Sequence, residues 1–298
     1  MAVNTKRFNR IINLTINRVE GAPVVIKTPV RGRKPKIEIN GTWTTDVDLP
    51  AFNITIQNYY PDMLRAQYSS VNLEVGYQDN LIPIHGTILN MYQESPGPEG
   101  RTVIQCQLGF LQQWLDTIVD LNYKAGTTLD SILDKIVKEI KGERKRLGTH
   151  AQTLSLKEPM QFNGTARDAI TDLINRFKDD NLAITINGQE LRAICLPKGD
   201  NEGDTIGEPR RLEYISAPPQ ENPGDEAGSY YTTINAPWMP ELSIGDELEV
   251  PSKVYVRNFA TVGNASKGTQ NIQVTTLSFH FGTVGSVNSM TVQGFLVR

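Results

Sequence analysis

Between Ala51 and Leu108, apolar and polar residues alternate, and this alternation limits the possible folds more than any other feature of the chain. Phe52, Ile54 and Ile56 share one face; Val71, Leu73, Val75 and Tyr77 do the same, as do Ile104, Cys106 and Leu108. Successive side chains of a strand point to opposite sides, so such runs describe half-buried antiparallel strands. Turn-forming clusters break them, Gln78-Asp79-Asn80 and Ser95-Pro96-Gly97-Pro98 among them. With consecutive strands and short breaks, the simplest arrangement is a meander curled into a small barrel. The block reads as a frame and carries nothing resembling a catalytic loop.

Upstream, residues 12–19, 22–28 and 36–40 are also strand-like, and a basic insert, Arg31-Gly-Arg-Lys-Pro-Lys36, separates the last two. Such a cluster suits a solvated hairpin loop, or a contact with phosphate or an acidic partner. Trp43 leads into the alternating block. After Gly109 the period becomes mixed, and residues 110–126 read as a connector, partly helical. An amphipathic helix is expected from Thr128 to about Lys141: Leu129, Ile132, Leu133, Ile136, Val137 and Ile140 fall on one stripe, and Gly142 is a stop. Residues 142–150 read as a polar, basic loop. A second helix is expected from Thr165 to Lys178, with Ala166, Ala169, Ile170, Leu173, Ile174 and Phe177 on one face. In both openings a Thr stands three residues before an Asp (Thr127/Asp130, Thr165/Asp168), where the hydroxyl can accept from an orphan amide and the carboxylate faces the positive end of the helix dipole. A hairpin with Asn187-Gly188 at its turn follows. Residues 198–229, rich in Gly, Pro and acids, read as a loop or linker, and residues 230–298 are strand-rich again. The expected fold class is therefore α+β, mainly β: two small antiparallel β-barrel domains, 1–115 and 199–298, flanking a middle α+β section, 116–198, with two amphipathic helices.

The 298 residues suffice for two or three modest domains, and 39% hydrophobic with 21% charged residues fits an ordinary globular composition. A formal charge of −3 argues against a dedicated, sequence-specific nucleic-acid binder, and no run approaches the ~20 apolar residues of a membrane span. The basic N-terminus lacks the apolar core of a secretory signal, so synthesis in the cytoplasm is expected. Cys106 and Cys195 sit in apolar strand-like sequence and read as two buried, reduced thiols.

Chemistry is scarce. His85, His150 and His280 lie far apart and none has metal-ligand spacing. No phosphate-cradling glycine loop, dinucleotide fingerprint or nucleophile elbow occurs. The acid pairs Asp46/Asp48 and Asp179/Asp180 could serve a glycosidase only in a cleft at a set separation. No residue is therefore assigned as catalytic, cofactor-binding or metal-ligating, and no cofactor is expected.

The ordered motifs carry a family resemblance. The run from Asn53 to Leu64, the strand closing on Gly76-Tyr77, the strand Ile84-His85-Gly86-Thr87-Ile88 and the strand from Thr102 to Gly109 resemble the first barrel of baseplate hub proteins from contractile phage tails and related injection machines. The helix openings at Gly126 and Gly164 fit that family's middle section, and Asn235 to Val250, with Gly245-Asp246 before a strand, is similar to a turn in its second barrel. The resemblance implies a homotrimeric ring in the tail baseplate of a virion, joining a six-fold tail tube to a three-fold spike. Wedge and tape-measure proteins would be further partners, and DNA would pass without being read. It departs from fused relatives in showing no needle or lysozyme segment, so a spike would be a separate chain. A different class competes: a tail-associated cell-wall hydrolase or carbohydrate-binding module stacking sugars on Trp43, Tyr59, Tyr60 and Trp238, against which stands the reading of these rings as strand cores.

Overall fold

A computed structural model describes residues 10–28, 36–45, 50–59, 67–77, 80–94, 100–109, 114, 116–187, 190–198, 203–212, 217–223, 230–250, 270–283 and 288–297. Most of the basic insert, the Asp46/Asp48 pair, Tyr60, Gly188 and, within the strand-rich last section, residues 251–269 lie outside these residues.

The first third holds strands β1 (Arg10–Arg18), β2 (Val24–Ile26), β3 (Ile37–Thr44), β4 (Ala51–Gln57), β5 (Tyr68–Tyr77), β6 (Asn80–Glu94) and β7 (Arg101–Leu108). The middle holds β8 (Ile118–Tyr123), α1 (Leu129–Glu139), β9 (Arg144–Leu147), β10 (Met160–Thr165), α2 (Ala166–Arg176), β11 (Leu182–Asn187) and β12 (Glu190–Cys195). The last third holds β13 (Ile206–Arg211), β14 (Ala217–Pro223), β15 (Tyr230–Ala236), β16 (Asp246–Val250), β17 (Gln270–Gly282) and β18 (Asn288–Val297). The protein is mainly β with two α-helices among the described residues.

The alternation in the sequence is honoured residue by residue. Phe52, Ile54, Ile56, Val71, Leu73, Val75, Tyr77, Ile104, Cys106 and Leu108 are all buried. The connectivity differs from a plain meander. β5, β6 and β7 do run in sequence, but β4 pairs with β3 and β7, and β5 takes β1 on its other edge. Side-chain period fixes which face a residue occupies and leaves open which edge meets which, so this crossover has no local signature. Two glycines show why their positions tolerate no side chain. Gly76 takes φ +148°, and a Cβ there would lie 2.1 Å from the Asn80 carbonyl oxygen. The Phe52 ring fills the space above Gly86, 2.6 Å from where its Cβ would be.

Two separate barrels are not what the described pairing gives. β17 hydrogen-bonds to β3 over Thr276↔Thr44 to Gly282↔Glu38, so the first and last thirds run together as one 13-stranded sheet, with no closed barrel among the described residues. The apolar face of this sheet is a single core from Ile12 to Val292. At its centre Trp238 stacks on Phe279 (4.9 Å, 11°) and meets Phe281 edge-on (4.7 Å). Trp43 meets Phe279 at 5.1 Å, and Tyr77 meets Phe281 at 5.7 Å. The Tyr77 hydroxyl accepts from the Asn288 amide (2.9 Å) and donates to the Trp238 carbonyl (3.2 Å), tying both thirds together.

The middle section has its own core, in which α1 and α2 cover the β8–β10 pair and the β9–β12–β11 sheet. Both helices form where their apolar stripes predicted. The Thr165 hydroxyl caps α2 by accepting from Asp168 N–H at 3.2 Å, as expected. In α1 the cap is one residue later than expected: Thr128 accepts from Ser131 N–H at 3.3 Å, while the Thr127 hydroxyl donates to the Lys124 carbonyl.

Three segments read as connections are strands. Residues 118–123 form β8, with Val119 and Leu121 inward and Asp120 and Asn122 outward; the alternation was short but present. The basic run Arg144–Leu147 is β9, held parallel to β12 by long-range pairing. The acidic, Pro-rich stretch supplies β13 and β14, and β14 lies at the end of the sheet order, where prolines lacking N–H donors interrupt no second ladder.

Candidate functional site

The residues weighed for chemistry are scattered. His150 is exposed beside a short turn, while His85 accompanies Asn72 (2.7 Å) and His280 accompanies Glu38 (3.6 Å) on the sheet. Asp179 and Asp180 sit in a surface turn after α2. Among the described residues no three His, Cys, Asp or Glu side chains gather as a metal site. Cys106 and Cys195 are free and buried, and burial pushes both thiols up to about 12, which leaves them protonated and unreactive. Trp43 and Trp238 are core residues, 3% and 0% exposed, so neither presents a ring face to a sugar. Tyr59 packs against the same core.

Two regions have a distinctive chemistry. The first is the outward face of the sheet. Pairing registers align Asn90, Gln105, Asn53, Asn40, His280 and Ser289 in one row across six strands. The adjacent row is Thr87, Gln107, Ala51, Thr42, Ser278, Thr291 and Asn235. No Lys, Arg, Asp or Glu occurs in either. Side chains bond sideways instead: Thr42 to Ser278 at 3.0 Å, Asn53 to Asn40 at 3.4 Å and Thr291 to Asn235 at 2.7 Å. Glu38 borders these rows. Burial raises its carboxyl, but Lys36 at 2.8 Å and His280 more than offset this and hold it below the usual range. The face is a neutral tiling of amides and hydroxyls.

The second region is the joint where the β11–β12 hairpin lies on the sheet. Leu191, Ala193 and Cys195 of β12 face the middle core, and alternation turns Glu190 and Arg192 the other way. There they are covered too, at 6% and 4% exposure. The Arg192 guanidinium donates to Glu190 (2.6 Å), to Asp246 Oδ1 (2.7 Å) and to the Ile244 carbonyl (2.9 Å). Asp246, only 2% exposed, also accepts from Ser243 N–H (2.9 Å) and Arg210 (3.1 Å). Arg144 pairs with the second oxygen of Glu190, and Arg146 stands 3.5 Å from it. Every buried charge is thereby answered, as burial requires.

A second clasp lies alongside. Asp204 accepts from Ala151 N–H (2.8 Å) and Cys195 N–H (2.6 Å), and its carboxyl occupies the space over Gly148, where a Cβ would sit 2.3 Å away. Burial pushes its pKa up, and the hydrogen bonds from Ala151 and Cys195 only partly counter that. Gln273 of β17 donates to the Cys195 carbonyl at 3.2 Å and to that of Asp204. Of these joint residues Cys195 stood out in the sequence only as a buried thiol and Asp246 only within a turn motif, and the charge network itself left no mark there. The one available signal was that the hairpin lies between two covered units, and that is not local.

A tail protein from Neisseria meningitidis MC58 superposes with a TM-score of 0.58 at 10% identity, covering 97% of each chain. The 43 kDa tail protein of prophage MuSo2 from Shewanella oneidensis gives 0.56 at 12% identity, over 97% of this chain and 98% of that one. The fold is one found in phage tail proteins. No family model matches the sequence, and no curated protein matches it either. The likeness thus lives in the backbone, which agrees with a sequence whose motifs are individually short. It spans both β-rich thirds and the middle section, the same stretch over which the sequence resembled tail hub proteins.

Proposed function

We propose that the chain is a structural, non-enzymatic subunit of a phage-type tail and serves as its baseplate hub. What supports this most is the whole-chain likeness to two phage tail proteins. In this reading residues 1–115 and 199–298 are two similar lobes joined edge to edge in the one sheet, and the middle domain, 116–198, packs beside them. Three copies close into a ring that offers six similar lobes to a six-fold tail tube and three-fold symmetry to a spike. Ring closure gives the ends of the open sheet a partner, since unpaired edges are where strands add.

The neutral rows of Asn, Gln, Ser and Thr suit a lumen wall. Lys or Arg there would hold phosphate by releasing its counterions, and acids would repel it; amides and hydroxyls do neither strongly. Tape measure and DNA would slide over such a wall without being read. Wedge proteins would dock on the middle domain, outside the ring. The particle would be a virion tail assembled in the host cytoplasm.

The native mass of the purified protein, with a low-resolution image, tests this. Three copies arranged as a three-fold ring are expected, and binding to separately purified tube and spike proteins should follow. A chain that stays monomeric at high concentration and binds neither would overturn the reading.

A further inference from the structure

Between β6, β9, β12 and the turn at Pro240–Ser243 lies a cleft of about 350 Å³ that continues into a second of about 400 Å³. Its floor is apolar, Ile82 lying over the largely buried Trp43, Ile84 and Leu108, while its wall carries guanidinium groups. We propose that this cleft binds an acidic side chain, flanked by an apolar one, on a segment of a partner protein, with Arg146 as the anchor. The proposal goes beyond the hub reading and stands independently of it.

Charge and geometry carry the argument. Arg144, Arg146, Arg192 and Arg210 surround two buried carboxylates, Glu190 and Asp246. Arg192 and Arg210 have close carboxylate oxygens, and Arg144 occupies the second oxygen of Glu190. Arg146 is left at 3.5 Å from that same, already engaged oxygen, and it lines both clefts. A guanidinium offers five N–H donors in a fork that fits a carboxylate edge-on. An incoming carboxylate would meet that fork while its apolar neighbour covers the floor. Glu143 and Glu241 also line the cleft and oppose any added anion, so it is the apolar contact beside the carboxylate that favours a polypeptide over free phosphate.

Calorimetric titration of the full chain tests this with three probes: a capped peptide with a Leu-Asp-Leu centre, its Leu-Asn-Leu counterpart, and inorganic phosphate. The Asp peptide should bind at least about tenfold more tightly than the other two, and more weakly as salt rises. Arg146→Gln should lose about tenfold in affinity for it, whereas Arg211→Gln, which lines only the second cleft, should stay within about twofold. Arg146→Glu should instead prefer a Leu-Lys-Leu peptide, a gain that misfolding cannot produce. Equal binding of the Asp and Asn peptides, equal binding of phosphate, no binding at millimolar concentration, or indifference to Arg146→Gln would each overturn the proposal.

Discussion

The β3–β17 seam and the joint between the β11–β12 hairpin and the sheet both unite parts of the chain far apart in sequence, by opposite means. The seam is a backbone ladder lying over a dry aromatic cluster, with Trp43, Tyr77, Trp238, Phe279 and Phe281 drawn from both β-rich thirds. Across the joint lie one backbone bond, from Asp204 N–H to the Cys195 carbonyl, and a small apolar cluster of Ala183, Ile194 and Ile206. Beside these the described contacts are polar side-chain ones: Arg192 to Asp246 and the Ile244 carbonyl, Gln273 to the Cys195 carbonyl, and Thr185 to the Thr44 carbonyl at 3.3 Å. Apolar burial over a ladder adds stability roughly in proportion to area. Buried charges add little net stability, because desolvation offsets their attraction, yet each is costly if left alone. The seam therefore supplies most of the cohesion, and the joint fixes the angle at which the middle section sits.

Breaking the seam should have the largest effect. Trp238→Ala empties a fully buried site between Phe279 and Phe281 and should cost about 3–5 kcal/mol in urea unfolding. Loss below about 1 kcal/mol would mean the cluster does not hold the thirds together. At the joint, Arg192→Met removes the buried cation that Glu190 and Asp246 share, leaving Arg144 and Arg210 as their partners, and should cost roughly 3 kcal/mol. Replacing Glu190 with Gln in the same chain should recover part of that loss. If the two losses simply added, the residues would not be acting as one network.

A smaller effect is set by pH. The Asp204 carboxyl is raised above its ordinary 3.8, so just above that value the folded chain holds this proton better than the unfolded one. Its contribution to stability is complete below the ordinary value and declines as pH rises through the raised one. Asp204→Asn cannot titrate, so wild type should lose stability relative to this variant as pH climbs from about 4 towards 7. A difference that grows in favour of wild type over that interval would reverse the sign of the account. The smallest effect belongs to the outward face: Thr42→Ala removes one cross-strand hydroxyl contact and should change stability by about 0.5 kcal/mol or less.

The comparison also explains what could be read from the sequence. Burial of Phe52, Ile54 and Ile56, or of the α1 stripe, follows from local period, and so these were visible in advance. Partner choice was not: nothing near Trp43 announces that its strand will pair with one beginning at Gln270. β9 and β14 went unrecognised for a related reason. Arg-Lys-Arg-Leu and Ala-Pro-Pro-Gln have no strand pattern of their own and are extended because another strand offers a ladder, the distant β12 for the first and the next strand, β15, for the second. Arg192 went unnoticed because alternation says which residues share a side, and only tertiary structure says whether that side is wet. The uncharged face needed the registers of seven strands before its rows could be seen at all.

Amide hydrogen exchange resolved along β3 and β17 tests the central claim most directly. If the two β-rich thirds form one cooperative sheet, the amides that bridge the seam, from Glu38 to Thr44 and from Thr276 to Gly282, should exchange only through global unfolding, at the rate of the β4–β7 interior. Seam amides that open well before β4 and β7 would show two separately stable halves and contradict the account.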